Sequence, residues 1–204
     1  MRECIVLIVN TTGTCIGCGT IYIIIFTTFM SDHIVHRIIH LKSLLMELRS
    51  MERGWARNEH MKYCIRYHQN IIEFSVRLSN FSENLYLLYV CITAIILSLI
   101  SCEAIVKLEY LPFWHGVLYF IPLHLSASAG EHLYENSINI SFVIFGSVPW
   151  DGDLKLQKDM LFMMTRTNVA LTLRIGKFTT YSRPFMLSVL KLWYSLFTLL
   201  IKIL

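Results

Sequence analysis

Residues 84–106 read NLYLLYVCITAIILSLISCEAIV, with Glu103 as the one charged side chain in the run. A helix needs ~20 mainly apolar residues to cross a bilayer, so this stretch is expected to span a membrane. Three more stretches qualify, roughly 4–30, 111–130 and 183–204, and at least four spans follow. The first is interrupted by Asn10-Thr11-Thr12-Gly13-Thr14, whose hydroxyls can bond back to helix carbonyls or line a cavity. Composition agrees: hydrophobic residues fill 55% of 204 positions and charged residues 16%, more apolar surface than a soluble domain tolerates.

The formal charge is +4, and the basic residues are scattered through helical patterns without a basic block, which argues against a nucleic-acid partner. Cysteines stand at 4, 15, 18, 64, 91 and 102, mostly inside apolar runs, where a thiol behaves as a small hydrophobe and no disulfide framework follows. The start pairs Arg2 with Glu3, and the apolar run after them continues to Met30, too long for a signal core. It is expected to be a retained span.

Between the first two spans, residues 31–80 keep a helical period without membrane-level apolarity: Ile34, Ile38, Leu41, Leu45 and Leu48 recur at threes and fours. The same stretch carries Arg37, Lys42, Arg49, Arg53, Arg57, Lys62, Arg66 and Arg77. The positive-inside rule puts it in the cytoplasm, and counting spans from there leaves the carboxy terminus outside. The third hydrophobic stretch resumes after Gly130, Glu131 and His132 and continues toward Trp150, so as a helix it outreaches the bilayer. Pro149, Asp151 and Gly152 are expected to break it. Leu154 to Leu173 is expected to form another amphipathic helix ended by Gly176, and Pro184 to start the last one.

His33, His36 and His40 share a helix face at a spacing that suits Zn²⁺, but a solvated stripe is the better reading and no metal is expected. Cys15-Ile16-Gly17-Cys18 has thiol–disulfide spacing without the βα context or basic neighbour that redox chemistry needs. Asn10, Asn80 and Asn139 begin glycosylation patterns that the expected topology puts at or within a span, or in the cytoplasm. Glu131, His132 and Glu135 either bind a ligand or ion within the membrane or meet water where the helix leaves it. No phosphate loop, nucleophile elbow or H-E-x-x-H signature occurs, so enzyme function is not expected and no cofactor is implied.

On the last helix, Leu192, Ser195, Leu196, Leu199 and Ile203 fall along one face. Such a face can line a conduit, and large aliphatics gate a pore by dewetting it. Lys202, close to that ring, opposes cations if it faces inward, or snorkels to headgroups if it faces outward.

From residue 130 onward the chain resembles the insect odorant receptor family. The residues that carry the likeness are Gly130, Ser137, Phe145 with Trp150, Leu161 to Arg166, Gly176-Lys177-Phe178, Ser182, Leu187 to Lys191, and Tyr194-Ser195 through Thr198 to Leu200. Upstream, His68 to Ile71 with Phe74 resemble the family's cytoplasmic helix before its fifth span, and His36 to Leu48 resembles the lower end of its fourth span. Three positions depart from the pattern: Phe145 where tyrosine is common, Arg183-Pro184 where an apolar–acidic pair is usual, and Lys202 where the related co-receptor has glutamine.

This resemblance implies spans four to seven of a seven-span, all-α, multi-pass plasma-membrane protein with cytoplasmic helical extensions. It also implies an odour-gated cation channel subunit, joined to co-receptor subunits as a hetero-tetramer through segments 31–80 and 138–175. By the same resemblance Leu199 and Ile203 are the expected gate, with Ser195 and Lys202 beside them. The expected odorant pocket takes Phe113, Tyr119, Phe120 and His124 from the third stretch, and Thr12 and Cys15 from the first. A small volatile offers few hydrogen-bond groups, so shape and aromatic contact must supply most of its affinity. A gustatory receptor of the same superfamily, a membrane redox or metal enzyme, and a nonfunctional fragment lacking the first three spans are the rival readings.

Overall fold

The computed structural model describes the backbone of residues 2–107, 111–147 and 153–203, and side chains from residue 18 onward except at 103, 106–113, 115, 147–152 and 203. Among the described residues five helices and one hairpin follow in order: α1 (Arg2–Glu47), α2 (Trp55–Lys107), α3 (Leu111–Ser147), α4 (Leu154–Thr167), β1 (Arg174–Ile175), β2 (Thr179–Thr180) and α5 (Arg183–Ile203). The chain is an all-α bundle of long apolar helices of the kind that membranes hold. Three segments among the described residues are long and apolar enough to cross a membrane: Cys18–Glu47, Trp55–Cys102 and Arg183–Lys202. Helix α3, which carries the expected span 111–130, is not among them; in its described part Pro122, His124, Ser126 and Ser128 thin the apolar run. Pro149, Trp150, Asp151 and Gly152 lie outside the described residues.

The chain divides into two compact units, one of residues 1–29, 81–128 and 174–204, the other of residues 30–80 and 129–173. In the second unit, Ile34, Ile38, Leu41, Leu45 and Leu48 are all fully buried, since alternate steps of four and three keep a residue on one side of a helix. The same beat recurs in α2 at Met61, Cys64, His68, Ile71, Ser75 and Leu78, and in α3 at Leu133, Ser137, Ile140 and Ile144. Each fully buried aliphatic contributes about 1.5–3 kcal/mol. Helix α4 closes this core with Leu156, Met160, Met163 and Thr167. Its first turn is capped by the Asp153 carboxylate, which accepts from the amides of Lys155 at 3.2 Å and Leu156 at 3.3 Å. The other oxygen of that carboxylate lies 3.7 Å from the guanidinium of Arg57, a side chain only 1% exposed.

Helix α4 stops earlier than the expected Leu173, and Gly176 is not its terminator. The run Thr165, Thr167, Asn168, Val169 is poor in helix formers, and from Leu171 burial alternates through Leu173 and Ile175, the period of an extended strand. The amide of Leu171 donates to the Ser137 hydroxyl at 3.0 Å, which holds the chain in that extended form.

In the first unit, β1 and β2 pair antiparallel with Arg174 opposite Thr180 and Ile175 opposite Thr179. Gly176 makes the turn at φ +53°, and its N–H donates to the carbonyl of Glu83 at 2.9 Å. A Cβ there would stand 3.2 Å from Leu87 and 3.3 Å from Phe178, so both backbone angle and space select glycine. Polar atoms tie the helices of this unit to one another. The hydroxyls of Thr27 and Tyr86 lie 2.9 Å apart and those of Thr28 and Ser126 2.8 Å apart, while the Tyr89 hydroxyl donates to the carbonyl of Tyr119 at 2.8 Å. Between helices in lipid, where hydrophobic attraction is absent, such bonds and close packing supply the cohesion. Tyr181, just before α5, packs its ring against that of Tyr86, the centres 4.6 Å apart and the planes tilted by 43°.

Candidate functional site

Two features of the first unit have functional potential. One is a cavity of about 360 Å³ among α2, α3 and α5, lined by Leu97, Ile100, Ala104, Gly116, Val117, Phe120, Leu190 and Trp193, with Ser101 as its polar member. Its walls are almost wholly apolar and its volume suits a small molecule. Trp193 arrives there because the packed side of α5 repeats at Val189, Trp193 and Phe197, and its indole N–H donates to the Ser101 hydroxyl at 3.2 Å. That hydroxyl in turn donates to the Leu97 carbonyl at 2.7 Å, so the polar atoms at the wall are satisfied. An occupant therefore meets aliphatic and aromatic surface. A Cβ at Gly116 would find ordinary contacts 3.7 Å from Leu97 and 3.9 Å from Ile100, so the missing side chain there leaves space that packing does not require.

Of the residues expected at the ligand, Phe120 lines this cavity. Tyr119 takes part through its carbonyl, which receives the Tyr89 hydroxyl, and its side chain is half-buried. His124 is exposed and belongs to a second cleft of about 280 Å³ with Arg183, Pro184, Met186 and Leu187. The rings of Phe120 and His124 are 6.5 Å apart. The side chains of Phe113, Thr12 and Cys15 lie outside the described residues. Sequence reasoning missed Trp193 and Ser101. The available signal was the indole itself, a donor that needs an acceptor wherever it is buried in apolar surroundings.

The second feature is the outward face of α5. Only 6% of its most apolar window is buried, and Ser195, Leu199 and Lys202 are exposed, Leu199 at 57%. Leu192 is exposed as well, whereas Leu196 is half-buried, and the side chain of Ile203 lies outside the described residues. Packing thus turns the helix so that Ser195 and Leu199 face away from their own unit while Trp193 and Phe197 face into it.

The motif residues serve several ends. Gly176 forms the hairpin turn described above, and Phe178 beside it is 83% exposed. The Ser182 carbonyl accepts from Met186 in the first turn of α5 at 3.1 Å. Lys191 and Tyr194 are exposed on α5, Thr198 donates back to the Ser195 carbonyl at 2.9 Å, and Arg166 is exposed near the end of α4. Trp150 lies outside the described residues.

In the second unit, burial is the main electrostatic influence. It lowers the pKa of His68 to about 4, with the Arg166 charge adding to the effect. Burial likewise pushes the Cys64 thiol up to about 11, helped by the charge of Glu47, which suppresses the reactive thiolate. His40 meets the ring of Tyr67 edge-on at 5.6 Å, and the guanidinium of Arg37 lies 5.2 Å from the same ring centre. His33 and His36 are exposed, and Cys18 is a free, exposed thiol.

Compared with known proteins, residues 3–194 match a family model described as 7tm odorant receptor. No curated protein matches the chain.

Proposed function

We propose, from the premise that this chain belongs to the 7tm odorant receptor family, that it is a subunit through which binding of a small volatile molecule opens a cation path in the plasma membrane. The observation that carries this reading is the family match over nearly the whole chain, on a sequence whose described helices include three apolar enough to span lipid. It is a family of receptors, not of enzymes. The apolar cavity beside Phe120 supports a ligand of the same character, with Tyr119, His124, Phe113, Thr12 and Cys15 as further candidate contacts. The first unit collects nearly all of the stretches expected in lipid, residues 111–128 of α3 among them, and the second collects the basic, amphipathic stretches expected in the cytoplasm. On that topology the carboxy terminus is extracellular. Co-receptor subunits complete the channel, with segments 31–80 and 138–175 as assembly surface and α5 at the conduit, Leu199 and Ile203 forming its gate. To open the conduit, the volatile must bind the open arrangement more tightly than the closed one.

Cells expressing this chain together with the odorant co-receptor are expected to pass cation currents when volatiles are applied from a broad panel. The currents should exceed those of cells expressing the co-receptor alone. If both chains reach the surface and every volatile leaves the current at the co-receptor level, the reading is wrong.

A further inference from the structure

Beside its aliphatic residues, α5 carries a polar stripe: Ser188, Lys191, Ser195, Thr198 and Lys202, spaced three, four, three and four residues apart and therefore along one side of the helix. Ser188, Lys191, Ser195 and Lys202 are exposed and Thr198 is half-buried. The rotation of the helix is set from its other side, where Val189 is buried and the Trp193 indole is bonded to Ser101. The stripe thus points away from the unit that α5 packs on.

Depth separates the two lysines. Lys202 stands one residue from the end of α5 and can extend to headgroups. Lys191 is eight residues beyond Arg183, about 12 Å along the axis from one end and about 18 Å from the other at the helical rise. None of the acidic side chains among the described residues pairs with it. An ammonium at that depth is costly against lipid tails and tolerable against water or a polar partner. Ser188 and Ser195, one turn to either side, give the same face further polar groups.

We infer that this stripe is the water-facing side of α5, and that Lys191 sets the ionic preference of the conduit by placing a fixed positive charge midway along it. The inference rests on the proposed channel reading and deepens it. A unit charge about 8 Å from a monovalent cation in water lowers its local concentration about two-fold, and that of a divalent cation by about the square of this factor. Removing the charge should therefore raise divalent over monovalent permeability about two-fold.

Two measurements on the full chain, co-expressed with the co-receptor, test this. The first labels Lys191→Cys with a charged, membrane-impermeant thiosulfonate and compares it with the wild-type background, to which the exposed Cys18 and Cys91 contribute. The second reads reversal potentials of Lys191→Gln under calcium and sodium gradients. Labelling of Cys at position 191 well above background, with a calcium-to-sodium permeability ratio about two-fold higher in Lys191→Gln, is the expected result. A cysteine there that reacts only with a membrane-permeant reagent, or an unchanged permeability ratio, overturns the inference even where odour-evoked currents are robust. If the wild type passes no odour-evoked current, the channel reading fails, while the labelling still decides which face of α5 meets water.

Discussion

Replacing a glycine by alanine should have opposite signs at two places in this protein. Gly176 stands at φ +53° in the turn between β1 and β2, where a Cβ would approach Leu87 to 3.2 Å and Phe178 to 3.3 Å. The left-handed backbone costs an L-residue about 1–2 kcal/mol, and the smaller entropy of the unfolded alanine chain offsets about 0.4–1 kcal/mol of that. Leu87 and Phe178 are side chains that can yield a few tenths of an ångström, so contact adds little. Gly176→Ala should lose about 1 kcal/mol, and Gly176→Val more, since a β-branched residue is a true outlier at that angle. Gly146, the penultimate residue of α3, has nothing within 4 Å of an added Cβ, and its alanine variant should gain up to about 0.5 kcal/mol, part of the helix-interior difference in propensity. Thermal unfolding in detergent, followed by the accessibility of buried thiols, measures both variants against wild type. Equal melting of Gly176→Ala and wild type, or stabilisation by both alanines, would refute the assignment of a left-handed turn at Gly176.

Burial holds the folded pKa of His68 near 4, below its ordinary value of 6.5. The unfolded chain therefore takes up this proton first as pH falls. Stability from His68 is complete above about pH 6.5 and declines by up to ~3 kcal/mol as pH approaches 4, and His68→Gln should flatten that part of a melting-versus-pH curve. In α1, Ile38→Ala at a fully buried position should cost about 2–5 kcal/mol, whereas neighbouring Ile39, 50% exposed, should tolerate alanine within about 0.5 kcal/mol; unfolding midpoints of the two variants decide it. If the cavity beside Phe120 holds the volatile, Gly116→Val narrows it, and the odorant dose–response midpoint should rise about tenfold, roughly 1.4 kcal/mol, with surface expression unchanged. An unmoved midpoint would place the ligand elsewhere.

Much of the architecture was legible before any coordinates. The run 84–106 is too apolar for water, and the beat of Ile34, Ile38, Leu41, Leu45 and Leu48 is that of a helix with one buried side, because both properties depend only on side-chain chemistry and local periodicity. The family was legible too, from Gly176-Lys177-Phe178 and the segment from Leu187 to Leu200. The hairpin around Gly176 stands where the sequence suggests the end of a helix. Its alternating burial at Leu171, Leu173 and Ile175 was present in the sequence as an apolar–polar alternation, but a glycine after an apolar run suggests a helix end equally well.

The tertiary structure decided which way the apolar helices face. In a soluble protein hydrophobicity itself orients a helix, but lipid tails are as apolar as a leucine core, so the sequence of α5 allows many rotations about its axis. The bond from Trp193 to Ser101 and the packing of Val189 and Leu190 select one. That choice opens a cavity beside Phe120 and turns Lys191, Ser195 and Leu199 outward. Such bonds join residues far apart in sequence, and periodicity within a single helix carries no record of its neighbours.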